Sequence, residues 1–160
     1  MKTKVVKMLE NNLNEEALEE AAEVIKKGGL VAFPTETVYG LGANALDPKA
    51  VKKIFEAKGR PQDNPLIVHI ADYDLHAYAK EVPDIVNKLT ERFWPGPLTI
   101  ILEKQSIIPD ETSAGLPSIG LRMPKNEIAL ALIKKAGLPI AAPSANLSGK
   151  PSPTEVQRCL

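Results

Sequence analysis

Five short apolar runs punctuate this chain, at residues 30–33, 66–70, 98–102, 119–123 and 139–142, with helix-patterned segments between them. Runs this short and this continuously apolar read as strands buried on both faces. Strands that alternate with helices predict an α/β domain whose sheet carries helices on both sides. The helices have their own punctuation. Asn14 is placed as an N-cap, with Glu15 and Glu16 in the first turn, where the helix dipole favours acids. Leu18, Ala21, Ala22 and Ile25 keep helical spacing until Gly28 and Gly29 stop it. Asp47 and Pro48 form a cap and first-turn pair that opens a second helix. Further helices are expected at 75–80, 84–93 and 127–136, and a loop rich in Ser, Gly and Pro at 106–118.

At 160 residues the chain has the length of one domain with a real core. Twenty Lys and Arg balance twenty Asp and Glu. No global field therefore drives it onto nucleic acid or an anionic membrane. Only four of the cations are arginines, Arg60, Arg92, Arg122 and Arg158, and two of these fall in motifs described below. A single cysteine, Cys159, excludes an internal disulfide and agrees with a reducing cytoplasm. No apolar run approaches the ~20 residues of a membrane span, and the first residues lead into no signal-type segment. Two histidines far from the cysteine give no zinc spacing, so no metal ligands are assigned.

Two segments are not built as plain connections. Pro34-Thr35-Glu36-Thr37-Val38-Tyr39-Gly40-Leu41-Gly42 is a hydroxyl- and glycine-rich turn directly after an apolar strand. Lys58-Gly59-Arg60-Pro61-Gln62-Asp63-Asn64-Pro65-Leu66-Ile67-Val68-His69 sets two cations, an amide and a histidine between a helix end and a strand. Gly40 to Ala45 formally fits a dinucleotide fingerprint, but six residues separate Phe33 from Gly40 and the next helix waits for Pro48. The strand–turn–helix succession that fingerprint requires is missing. Each residue also has a plainer reading. The Thr35 and Thr37 hydroxyls could serve only the turn. Gly40 and Gly42 could allow a turn rather than a ligand. Lys58 could be a solvated cation at a helix C-terminus, and His69 a satisfied core residue.

Arg122 lies inside the strand 119–123, where alternation leaves it with Gly120 on the face opposite Ile119, Leu121 and Met123. A buried guanidinium demands a carboxylate, either a structural Asp or Glu or a substrate. Ala141-Ala142-Pro143-Ser144-Ala145-Asn146 ends another strand with small residues and two polar side chains, and loops beyond strand ends are where open α/β sheets bind ligands. Singly these signals are weak. Together they describe a site for a small molecule bearing phosphate and carboxylate groups.

These motifs, in this order, with Trp94-Pro95-Gly96-Pro97-Leu98-Thr99 between them, resemble the YrdC-like family of L-threonylcarbamoyladenylate synthases over about residues 15–153. The resemblance implies a YrdC-like fold, a twisted mixed sheet with helices on both faces and a concave basic cavity. It implies a nucleotidyltransferase that joins L-threonine, bicarbonate and ATP into threonylcarbamoyl-AMP with release of pyrophosphate, magnesium travelling with the ATP. The product would pass to the machinery that modifies transfer RNA. Carried over by position, Thr37, His69, Arg122 and the backbone at Ala142 contact threonine. Lys58, Arg60, Asn64, Ser118, Ser144, Asn146 and Ser152 contact ATP, with Lys58 and Arg60 neutralising the triphosphate as the catalytic cations.

Two other readings fit the same residues. One is a carbamoyl-adenylate-handling domain of the kind fused into larger maturation proteins. The other is an RNA-binding module whose cavity grips transfer RNA or a duplex, which zero net charge disfavours. Residues 153–160 read as the opening of a helix whose Val156, Cys159 and Leu160 form an uncovered apolar stripe. The expectation is one YrdC-like domain over 1–160, lacking its C-terminal part.

Overall fold

A computed structural model describes residues 3–59 and 64–143. Arg60, Ser144, Asn146, Ser152 and the expected helix at 153–160 lie outside the described residues. Eleven elements run through the described residues: α1 (Glu15–Lys26), β1 (Val31–Pro34), β2 (Tyr39–Asn44), α2 (Pro48–Lys58), β3 (Ile67–His69), α3 (Asp84–Phe93), β4 (Ile100–Glu103), α4 (Asp110–Ser113), β5 (Ser118–Arg122), α5 (Glu127–Ala136) and β6 (Ile140–Ala142). The caps act as the sequence implies. Asn14 accepts from the Ala17 amide at 3.0 Å, and Asp47 from the Lys49 amide at 3.0 Å.

Six strands form one sheet in the order β1-β2-β6-β3-β5-β4. β3 and β5 pair in parallel and the other neighbours are antiparallel, so the sheet is mixed. One face packs Ala43, Val68, Ile119, Leu121 and Ala141 against Val51, Ile54 and Phe55 of α2 and Val86 of α3. The other face packs Phe33, Ile140 and Ala142 against Leu18, Ala22 and Ile25 of α1 and Ala129, Leu132 and Ile133 of α5. Helices therefore cover both faces, as expected.

Three local expectations change. The glycine-rich segment after β1 is not only a turn, because residues 39–44 form β2, which pairs back on β1 with Phe33 opposite Gly40. The helix expected at 75–80 is a turn instead. Its end crosses to the open edge of β4, where Ala79 bridges to Lys104 and the Lys80 amide donates to the Glu103 carbonyl at 3.0 Å. That contact covers part of an edge strand, the kind of surface that otherwise invites aggregation. Within the loop expected at 106–118, residues 110–113 form the single turn of α4.

The glycines of β2 make room for a side chain. A Cβ at Gly42 would come within 2.6 Å of Ile140 Cγ2 and 2.7 Å of Phe33 Cε1. Phe33 is 1% exposed and cannot retreat into solvent. Gly42→Ala should therefore overpack this face and destabilise the fold by about 1–3 kcal/mol. The urea midpoint should fall at an unchanged denaturant slope, whereas an unmoved midpoint would show that the Phe33 ring has space to shift.

Candidate active site

Strand register assembles the site. In the parallel pair, His69 of β3 stands opposite Arg122 of β5, and on its other side His69 is opposite Ile140 of β6. Two rungs along, Ile67 lies between Gly120 and Ala142. Residues two apart share a face, so His69, Arg122, Gly120, Ser118 and Ala142 all belong to one side of the sheet.

His69 is buried, and its Nδ1 lies 3.2 Å from the Ile140 carbonyl oxygen. A carbonyl can only accept, so Nδ1 carries the hydrogen and Nε2 presents a lone pair. The Phe33 ring stands edge-on to the imidazole, centroids 5.6 Å apart at 84°. Burial in this setting pushes the imidazole down to about 4, outweighing its backbone hydrogen bonds. His69 is thus a neutral hydrogen-bond acceptor at pH 7.

Arg122 is held from two directions. Its Nε donates to the Gly96 carbonyl at 3.1 Å, and its Nη2 forms an ion pair with Glu36. Nη2 is buried and has no hydrogen-bond partner of ordinary geometry beside that ion pair. Desolvation lowers the guanidinium from its usual range, though not enough to remove its charge. The required carboxylate is therefore a residue of the chain, Glu36. Its other oxygen accepts the backbone amide of Lys125.

The Trp94–Thr99 segment explains itself here. The Gly96 amide donates to the Met123 carbonyl at 2.8 Å, while its own carbonyl takes Arg122. A Cβ at Gly96 would sit 2.5 Å from the carbonyl oxygen of Phe93, three residues back, so glycine lets the chain turn tightly after α3. Trp94 is buried and donates its indole N–H to the Leu98 carbonyl at 2.8 Å.

The two threonines divide their roles. The Thr35 hydroxyl donates to the Val38 carbonyl at 2.6 Å and accepts from the Thr37 and Val38 amides, so it serves the turn. Thr37 is exposed, its hydroxyl 3.0 Å from that of Thr35 and one residue from the Glu36 that meets Arg122. Lys58 is buried at the end of α2, which overturns the reading of a solvated terminal cation. Asn64 is exposed ahead of β3, and Ser118 is half-buried at the start of β5. Glu36 and Gly96 are the two site residues that sequence reasoning passed over. The demand of Arg122 for a carboxylate was the available signal, and Glu36 lay inside a motif already singled out. Among the described residues no group of three or more His, Cys, Asp or Glu side chains is placed to hold a metal ion.

A fixed cation, Arg122, and a neutral imidazole, His69, thus stand on adjacent strands of a mixed α/β sheet. The Sua5/YciO/YrdC family model, described as "Telomere recombination", matches residues 23–160. The chain belongs to that family. It is 62% identical to the threonylcarbamoyl-AMP synthase of Pyrococcus abyssi over 84% of this chain and 40% of that protein. With the threonylcarbamoyl-AMP synthase of Bacillus subtilis it shares 55% identity over 92% of this chain and 43% of the relative. A crystal structure of P. abyssi Sua5 complexed with L-threonine superposes with a TM-score of 0.91 at 57% identity, over 92% of this chain and 44% of that one. The chain thus spans about two-fifths of the length of these curated relatives.

The state of His69 has a measurable consequence. Its folded value, about 4, lies below the unfolded value of 6.5, so between these the unfolded chain binds a proton that the folded chain refuses. Stability should hold above pH 6.5 and fall as pH drops toward 4, by on the order of 3 kcal/mol from this group. Nitrogen-15 NMR should show Nδ1 protonated, Nε2 bare and a titration midpoint near 4. A midpoint near 6.5 would mean that the ring is hydrated.

Proposed function

We propose that this chain forms the threonine- and ATP-binding domain of an L-threonylcarbamoyladenylate synthase. The observation that carries the reading is the Arg122–His69 rung, a fixed cation beside a neutral acceptor on a face of small residues. It suits an amino acid whose carboxylate meets the guanidinium and whose hydroxyl or amine donates to Nε2. Thr37 follows Glu36, the partner of Arg122, and Ala142 pairs with Ile67, two residues before His69, which supports giving both a part in threonine binding. That P. abyssi Sua5 binds L-threonine, at high identity to this chain, supports the same assignment.

In the reaction, the threonine amine adds to the carbon of bicarbonate and water leaves, giving a carbamate. A carbamate oxygen then attacks the α-phosphorus of ATP, and pyrophosphate departs with the electrons of the broken P–O bond. Both nucleophiles belong to substrates, so the protein's part is to hold them close and to balance charge. Lys58 and Arg60 neutralise the triphosphate as the catalytic cations, and Asn64, Ser118, Ser144, Asn146 and Ser152 grip the nucleotide. Magnesium would travel with the triphosphate. The product passes to enzymes that modify transfer RNA in the cytoplasm. Among the described residues no helix is long and apolar enough to cross a membrane.

Calorimetry with L-threonine and with ATP, separately and together, tests the reading, followed by pyrophosphate release that depends on threonine and bicarbonate. Valine keeps the shape of threonine and loses the hydroxyl. It should bind more weakly by about 1–3 kcal/mol, the cost of leaving a buried polar group unpaired. Equal affinities would remove the hydroxyl-reading role from Thr37 and His69. Lys58→Ala should weaken ATP by a similar ~1–3 kcal/mol and leave threonine binding alone, the scale of a charge-assisted hydrogen bond.

A further inference from the structure

Glu36 sits in the turn between β1 and β2, while Arg122 ends β5, and two strands, β6 and β3, lie between those elements in the sheet. The turn therefore folds across the binding face to bring a carboxylate to the guanidinium. Both oxygens are used, one on Arg122 Nη2 and one on the Lys125 amide, which fixes the carboxylate in place. The side chain of Glu36 is only 19% exposed. We propose that Glu36 is a positioning residue for the amino-acid substrate: it holds Arg122 by Nη2, so that the guanidinium is already aimed when the substrate carboxylate arrives.

Three arguments carry this. The Gly96 carbonyl takes Nε and Glu36 takes Nη2, so Nη1 is the nitrogen that neither contact engages. A free arginine side chain carries ~2 kcal/mol of rotamer entropy. Fixing it in the empty site moves that cost from the binding step to folding. Charge also balances. Arg122 and Glu36 sum to zero, and a zwitterionic amino acid adds a cation with its carboxylate, so the occupied site stays neutral.

The inference rests on the threonine reading of the site and is tested beside it. In wild type, Glu36→Ala, Glu36→Gln, Arg122→Ala and the Glu36→Ala/Arg122→Ala double variant, the threonine and ATP Kd are measured by calorimetry. KM for threonine and kcat come from pyrophosphate release. Glu36→Ala should raise the threonine Kd tenfold or more and leave the ATP Kd unchanged. KM should rise while kcat stays near wild type, because Arg122 grips ground state and transition state alike. Glu36→Gln keeps the shape and an acceptor oxygen without the charge, and should fall between wild type and alanine. Its value carries the test if the alanine variant does not fold. Once Arg122 is alanine, removing Glu36 should cost threonine nothing further, since it acts only through Arg122. A threonine Kd at or below wild type in Glu36→Ala or Glu36→Gln would overturn the proposal, and the latter sign would make Glu36 a competitor for Arg122. Parallel loss of ATP and threonine binding would overturn it in favour of a purely structural role. A wild-type protein that binds ATP and no threonine would overturn the threonine reading itself.

Discussion

Arg122 carries its charge at the end of a strand whose neighbours Ile119 and Leu121 are almost wholly buried. Desolvating a guanidinium costs several kcal/mol unless charge and hydrogen bonds replace the lost water. Much of the local architecture answers that demand. The β1–β2 turn crosses the face to deliver Glu36, and the Trp94–Thr99 loop packs against the strand end to deliver the Gly96 carbonyl. Glycine at 96 allows the tight turn after α3, where a Cβ would meet the Phe93 carbonyl oxygen. Two motifs distant in sequence thus serve one charge.

The two faces of the sheet divide the labour. Behind it, α2 and α3 close a continuous apolar layer over Val68 and Leu121, which keeps β3 and β5 in register. In front, α1 and α5 cover Phe33, Ile140 and Ala142. His69 is consequently dry enough to stay neutral, while its Nδ1 remains tied to Ile140. An imidazole that were charged here would repel Arg122 on the adjacent strand. Apolar packing therefore sets the chemistry of the rung as much as the polar groups do.

The sequence made the class of fold and the membership of the site legible through different signals. Caps at Asn14 and Asp47, the apolar runs and the alternation around Arg122 each rest on short-range chemistry, and each appears in the structure where it was expected. β2 escaped notice because glycines at 40 and 42 suppress its strand signal, and their reason is the Phe33 ring packed across them. The turn at 75–80 was misjudged because one helical turn on Leu75 has the spacing of a longer helix, and the decisive contact, with β4, is tertiary. Arg122 announced its need for a carboxylate, but which of twenty acids supplies it depends on how a hairpin folds over three strands. His69 left its two readings open in the sequence. The structure shows the ring packed, edge-on to Phe33 and tied to the Ile140 carbonyl.

The parallel pairing of β3 with β5 has a consequence for how this protein comes into being. Parallel neighbours cannot be joined by a tight hairpin, and here α3, β4 and α4 are all traversed before the chain returns. Loop-closure entropy must be met before that contact repays it, so His69 and Arg122 meet late in assembly. Partly collapsed chains can hold helices and the β1–β2 hairpin while having no binding site at all. Ligand added during refolding would select only chains that have completed the crossover, making occupancy of the site a reporter of the last step of folding rather than the first.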